Sequence, residues 1–237
     1  GVGVTYILAE SLAKKLNSLE VLCISRDLLC VGTVADMSEL TGANRYWLKY
    51  WIGDLNQTTC LGLRGIIRNA KISNKNITSQ DISFRIAPRI NSIGRIDDPK
   101  LIIDLLLEQN EDKLKVNLRN CEEINKRRKT ICLSVENEAQ RILDNSNSEI
   151  GSFIFIAQPH WNHGVIGIVA SRLMEKYSRP AVVLTADGSG LFRASARSPK
   201  GFNLVDSLQK CSELLEKYGG HSAAAGFTVK AQNLMQL

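Results

Sequence analysis

Three histidines, one aspartate after an apolar run and several arginines next to hydroxyls or glycines are the residues here that could do chemistry. His160, His163 and His221 are the only histidines. His221 follows paired glycines in Tyr218-Gly219-Gly220-His221-Ser222-Ala223-Ala224-Ala225-Gly226. Glycines let a backbone turn sharply and approach a ligand closely. The turn therefore reads either as a phosphate or metal contact, or as a helix C-cap followed by a close-packed strand. In Ser195-Ala196-Arg197-Ser198 the period of a strand puts Ser195 and Arg197 on one face. An arginine fork beside a hydroxyl suits a pair of phosphate oxygens, and the plain alternative is an exposed strand end. Trp161-Asn162-His163-Gly164 opens a helix. Such an N-terminus offers free N–H groups to an anion, or Asn162 is simply its N-cap. Arg85-Ile86-Ala87-Pro88-Arg89-Ile90-Asn91-Ser92-Ile93-Gly94-Arg95 gathers three arginines around a proline and a glycine, and reads as a loop. Asp36 ends Gly32-Thr33-Val34-Ala35-Asp36 and is either a metal ligand or the cap of the next helix.

The elements that must position these residues follow from periodicity. Val4, Ile7, Leu8, Leu12 and Leu16 have helical spacing. Leu28–Val34 is a short apolar run, and a second helix is expected around Arg45–Ile52. A third starts at Pro99 with Asp97 or Asp98 as its cap. From Glu111 to Leu143 there is no Gly or Pro, and apolar positions step mostly by three and four, so one long amphipathic helix is expected. Its Lys126-Arg127-Arg128-Lys129 run reads as a solvated face. Asn145-Ser146-Asn147-Ser148 breaks the pattern and suggests a boundary. Beyond it strands are expected at Phe153–Ala157, Ala181–Leu184, Leu191–Ala196 and Gly226–Val229. Helices are expected at Gly164–Tyr177 and Asn203–Tyr218, with a turn at Asp187-Gly188-Ser189-Gly190. Alternating strands and helices imply a small α/β domain.

Composition sets the limits. The 237 residues are 44% hydrophobic and 23% charged, which is globular rather than disordered. No apolar run reaches membrane-spanning length and no signal peptide opens the chain, so an intracellular, cytoplasmic protein is expected. Cys23, Cys30, Cys60, Cys121, Cys132 and Cys211 form no C-x-x-C pair and read as small buried hydrophobes. Thirty basic residues against 24 acids permit an anionic partner without demanding one. The chain opens with Gly1 inside what reads as a helix and stops at Leu237 just after an element begins, so both ends are expected to be cut.

Taken in order, residues 32–36, 87–95, 164–172, 195–198 and 219–227 resemble the RecJ family of the DHH phosphoesterase superfamily. The resemblance covers nearly the whole chain and implies an α/β architecture: the C-terminal part of a DHH domain over 1–110, a connecting helix over 111–145, and a small α/β DHH-associated domain over 150–237. It implies a single-stranded-DNA-specific 5′-to-3′ exonuclease of repair and recombination that uses Mn2+ or Mg2+ in a two-metal site. By the same resemblance Asp36 looks like the last carboxylate ligand of the metal pair. Arg89, Asn91 and Arg95 look like contacts to the DNA backbone. Ser195, Arg197 and His221 look like the pocket for the 5′-terminal phosphate. Asn162, His163 and Arg172 lie near the groove, although some members carry histidine directly after the tryptophan and here that position is Asn162. The partners implied are single-stranded DNA, a single-strand-binding protein and a helicase. The Asp-x-Asp and Asp-His-His motifs and the oligonucleotide-binding fold of the family do not occur in these residues, and the 237 residues alone are expected to be inactive. The rivals are a DHH phosphodiesterase for short oligonucleotides or cyclic dinucleotides, and a non-catalytic nucleic-acid-binding homologue.

Overall fold

The computed structural model describes residues 1–72, 76–145 and 151–237. The suggested break at 146–148 lies outside the described residues. Two compact units are present, Gly1–Lys126 and Arg127–Leu237.

The described part of the first unit is helical. Its helices are α1 (Val2–Leu16), α2 (Leu22–Ala35), α3 (Gly42–Trp51), α4 (Leu61–Asn69), α5 (Ser79–Asp81), α6 (Ala87–Ile96) and α7 (Lys100–Leu107). It also holds the first half of α8 (Glu111–Asn145). Its core gathers Val31 and Val34 of α2, Leu63 and Ile66 of α4, Ile82, Ile86 and Ile93, Leu105 of α7, and Cys121 of α8. The apolar run at Leu28–Val34 belongs to the 14-residue helix α2. A short apolar run cannot by itself distinguish a buried strand from a buried helix. In α1 the apolar stripe marked by spacing is on the surface: Val4, Ile7, Leu8, Leu12 and Leu16 are exposed, while Tyr6 and Ala13 are buried. Tyr6 sits edge-on to Trp47, with ring centroids 5.5 Å apart.

The expected loop at Arg85–Arg95 is a helix. Thr78 and Asp81 form a capping box, and the chain continues through a π turn at Ile82–Ile86 into α6. Ile82, Ile86 and Ile93 are buried and Ile90 packs beside them, so a helical spacing of four, four and three runs through this segment. Pro88 suggests a loop because it lacks an N–H. Here the Ala87 N–H bonds back to Ile82, so the π turn resets the hydrogen-bond ladder just before the proline. α7 starts one residue later than the sequence indicates, at Lys100 with Pro99 as its N-cap, and the Asp98 carboxylate accepts from the Lys100 N–H at 2.9 Å.

The second unit holds the rest of α8 and one five-stranded sheet. The strands are β1 (Ile154–Ala157), β2 (Ala181–Ala186), β3 (Leu191–Arg197), β4 (Leu215–Gly220) and β5 (Ala224–Lys230), in the order β1-β2-β3-β5-β4. β1 and β2 are parallel and joined by helix α9 (His163–Tyr177), while the other pairs are antiparallel. One face of the sheet carries Ala194, Ala196, Phe227 and Val229, packed with Leu204 and Leu208 of α10 (Leu204–Lys210). The single helix expected over Asn203–Tyr218 is therefore corrected: α10 ends at Lys210, and after one 3-10 turn the chain becomes β4. Glu216, Lys217 and Tyr218 carry no strand pattern of their own. Pairing with β5 makes this segment the polar edge of the sheet.

Two smaller expectations also change. Arg128, inside the basic run of α8, is buried, whereas Lys126, Arg127 and Lys129 are exposed. Cys23 is exposed and Cys211 half-buried, and only the other four cysteines are buried. Burial, followed by the nearby Glu122, pushes the Cys121 thiol up to about 11, so it is an inert apolar group.

Candidate nucleic-acid interface

In the first unit, Asp36, Asn91 and Arg95 come together on a groove of about 580 Å³, whose walls include Gly32, Ile90, Gly94 and Pro99. Asp36 sits just past the C-terminus of α2 and is exposed. It does not cap the next helix, because the N-cap of α3 is Thr41. A carboxylate at a helix C-terminus faces the negative end of the dipole, so helix stability does not explain it. Arg89 lies on the opposite side of α6 from Asn91. Its side chain is only 15% exposed and paired with Glu122, and its Nη2 donates to the Asn69 carbonyl at 3.1 Å. The structure thus groups Asn91 and Arg95 with Asp36 and turns Arg89 into the helical core.

Divalent-metal chemistry needs several hard oxygen ligands around one ion. Among the described residues no group of three or more His, Cys, Asp or Glu side chains could hold a metal. These residues therefore do not form a metal cage, and Asp36 could supply one carboxylate to such a site.

In the second unit the strand register arranges the other candidates. Ser195 and Arg197 project from the face of β3 opposite Ala194 and Ala196, and the Arg197 Nη1 donates to the Ser195 Oγ at 3.2 Å. Helix α9 crosses this face at Gly167. A Cβ there would lie 3.0 Å from the Ser195 Oγ and 3.3 Å from the Arg197 Nη2. The absent side chain leaves the helix close to the hydroxyl and the guanidinium, which would have to give by a few tenths of an ångström to a methyl group there. Asn162 is the N-cap of α9, with its Oδ1 accepting from the Gly164 N–H at 2.9 Å. His163 is the exposed first residue of the helix.

His221 sits in the tight turn between β4 and β5, and its N–H donates to the Ala224 carbonyl at 2.8 Å. Gly220 is needed for that turn: its φ is +142, and a Cβ would come within 2.5 Å of the Ala224 oxygen. The Ser198 N–H donates to the Ala223 carbonyl at 3.0 Å. The buried Ser198 hydroxyl bonds the carbonyls of Ser222 and Phe202, both at 3.0 Å. Ser198 thus fastens the His221 turn beside Arg197, which pairs with Ala224. Ser198 and Gly167 lie within the motifs at 195–198 and 164–172, where residue type alone assigns them no role. Only the register shows what they touch.

Arg172 of α9 pairs with Glu136 of α8. Two residues on, Glu138 accepts from the Trp161 indole N–H at 3.0 Å and meets His160 at 3.2 Å. The indole hydrogen bond, more than His160, holds the Glu138 carboxyl below the usual glutamate range.

Residues 150–237 match the DHHA1 domain family. The single-stranded-DNA-specific exonuclease RecJ of Bacillus subtilis is 34% identical over 238 residues, which take in 100% of this chain and 30% of that protein. The RecJ of Thermus thermophilus is 32% identical over 229 residues, 97% of this chain and 32% of that one. The crystal structure of Thermus thermophilus RecJ in complex with Mn2+ superposes with a TM-score of 0.80 at 28% identity, over 92% of this chain and 33% of that one. This chain therefore spans about a third of the length of these relatives. By the order of its motifs, its α/β fold and the DHHA1 match at residues 150–237, the chain is similar to the RecJ exonucleases over nearly its whole length.

Proposed function

We propose that this chain is the strand-gripping part of a single-stranded-DNA exonuclease, and that Ser195, Arg197 and His221 hold the 5′-terminal phosphate. The observation that carries this reading is the Ser195–Arg197 pair on one face of β3, with helix α9 brought close by Gly167. A terminal phosphate has more negative charge than an internal diester and can accept both arms of a guanidinium. An exonuclease that grips this end beside its metal site degrades from 5′ to 3′.

Residues 1–110 are then the C-terminal part of a DHH catalytic domain, 111–145 a connecting helix and 150–237 the substrate-binding DHHA1 domain. In the first unit, Asn91 and Arg95 contact internal phosphates along the groove they share with Asp36. Asp36 contributes one carboxylate toward Mg2+ or Mn2+, the ions of the related RecJ structures. Asn162, His163 and Arg172 act near the same strand, Asn162 through the shape of the helix start.

The test measures binding of the chain and its Arg197→Ala variant to two matched single strands, one with a 5′-phosphate and one with a 5′-hydroxyl. Loss of a charge-assisted contact of about 1.5–3 kcal/mol should weaken the phosphorylated strand by roughly 10- to 100-fold and the hydroxyl strand far less. An equal loss on both strands would make Arg197 an ordinary groove contact. Stronger binding of a cyclic dinucleotide than of either strand would favour the oligonucleotide phosphodiesterases of the same superfamily.

A further inference from the structure

Beside the proposed end pocket, on the same face of the sheet, lies a second cleft of about 340 Å³ lined by Arg193, Lys217, Gly219, Gly226 and Thr228. The register forms it in rows. Arg193 pairs with Thr228, and Thr228 with Lys217; in the next row Ser195 pairs with Gly226, and Gly226 with Gly219. Residues two apart on a strand share a face, so Arg193, Ser195 and Arg197 line up along β3, with Lys217 and Gly219 along β4. At about 3.3 Å per residue, Arg193 stands roughly 13 Å along the strand from Arg197.

The glycines mark the floor. Close packing accounts for Gly226, where a Cβ would stand 3.3 Å from the Ala194 carbonyl. Gly219 has no such reason. Its φ is not in the left-handed region, and a Cβ there would meet nothing within 4 Å. Glycine weakens a strand interior, and one with no internal need for it marks a place where something approaches the backbone.

Charge gives the class of ligand. Arg193 projects from an interior strand, its side chain is 55% exposed, and its Nε is 3.7 Å from Asp187, a long contact. Lys217 is exposed on the edge strand, while the neighbouring Glu216 is paired with Lys230 at 3.1 Å. An exposed lysine on an edge strand is common protection against strand pairing. That account explains neither an outward arginine on an interior strand nor the bare glycine between the two cations.

We infer that this cleft is a second phosphate subsite, in which Arg193 and Lys217 hold an internal phosphodiester of a single strand. The inference rests on the end-pocket reading, because the strand must have its 5′ phosphate at Ser195 and Arg197 for a phosphate further along it to cross Gly219. It adds two cations and a glycine floor to the strand path. It also sets a minimum length, since a mononucleotide fills the first site only.

The experiment uses the 237-residue chain with two probes, 5′-phosphorylated thymidine mononucleotide and 5′-phosphorylated hexathymidylate, with affinities measured by calorimetry. Arg193→Ala, Lys217→Ala and Gly219→Val should each weaken the hexanucleotide by about tenfold, the scale of one lost charge-assisted contact, and leave the mononucleotide within about twofold. Lys217→Ala should also lower the salt slope for the hexanucleotide by roughly one unit. Arg197→Ala should weaken both probes. Arg193, Lys217 and Gly219 are open to solvent or to empty space, so the fold tolerates these changes, and unchanged thermal unfolding checks that. If the three variants bind the hexanucleotide like the parent chain, or lose both probes equally, the second subsite is overturned and the end pocket stands. If the parent chain binds neither probe, both readings fall.

Discussion

At the scale of single residues, the candidate end pocket depends on a missing side chain as much as on the groups it holds. Gly167→Ala would put a methyl group 3.0 Å from the Ser195 hydroxyl and 3.3 Å from the Arg197 guanidinium. Both side chains are polar ends that can shift, and alanine gains about 1 kcal/mol over glycine in a helix, so the net loss to the fold should stay at about 1 kcal/mol. Discrimination between 5′-phosphate and 5′-hydroxyl strands should nevertheless fall by roughly tenfold, because a shifted fork loses one of its two bonds. Parallel denaturation and binding measurements check this, and an unchanged preference would show that the phosphate lies elsewhere. Glu138 makes a prediction about acid. Its folded pKa is depressed by the Trp161 indole, so its stabilising contribution is full above the ordinary glutamate value of about 4.3 and fades as pH falls through the lower folded value. Glu138→Gln should cost about 1 kcal/mol at neutral pH, the low end for a charged hydrogen bond at a partly exposed site. The difference from the parent chain should shrink below about pH 4, as urea melts at two pH values would show. A constant difference would mean that the glutamine perturbs packing instead.

At the scale of elements, helix α9 separates a structural asparagine from a binding one. The Asn162 carboxamide is committed to the Gly164 N–H. Asn162→Ala should therefore cost about 1 kcal/mol, the usual loss of an N-cap, and Asn162→Ser should recover most of it. If the capping role is the whole role, strand affinity per folded molecule stays the same in both variants. Binding that drops with alanine and is not restored by serine would show a direct contact to the strand. Elements also explain the misread segments. Residues 82–96 contain a helical row of isoleucines, but Pro88 and Gly94 mask it, and a π turn is invisible to a fixed period of 3.6. Leu215–Gly220 is a strand only because β5 offers it an edge.

At the scale of the whole molecule, the two compact units carry different parts of the proposed function. The first holds one carboxylate, Asp36, on a groove with Asn91 and Arg95. The second holds the arginines, hydroxyls and turn suited to a strand end. One carboxylate is too few for a divalent ion pair, which needs several oxygen ligands. The 237 residues alone should thus bind 5′-phosphorylated single strands yet release no nucleotides from them with Mg2+ or Mn2+. An acid-soluble nucleotide assay checks this, and release that depended on Asp36 would show that these residues complete a metal site.

The motifs at 32–36, 87–95, 164–172, 195–198 and 219–227 were legible in the sequence, because each is a local run of residue types whose order survives without coordinates. The long helix from Glu111 was legible too, since apolar positions stepping mostly by three and four from Glu111 to Leu143, with no Gly or Pro, fit a helix and no strand. What occupies the space between motifs was not. The spacing in α1 shows that it is a helix, but not that Tyr6 and Ala13, rather than its apolar stripe, are buried. Periodicity defines a face, and only the neighbouring elements decide which face is covered. In the same way no local pattern sets Gly167 against Ser195, turns Arg89 toward Glu122, or frees Gly219 from any packing need. Those relations join residues 28, 33 or more positions apart, or depend on the space left around them, and a strand register or a helix crossing has to exist before they do.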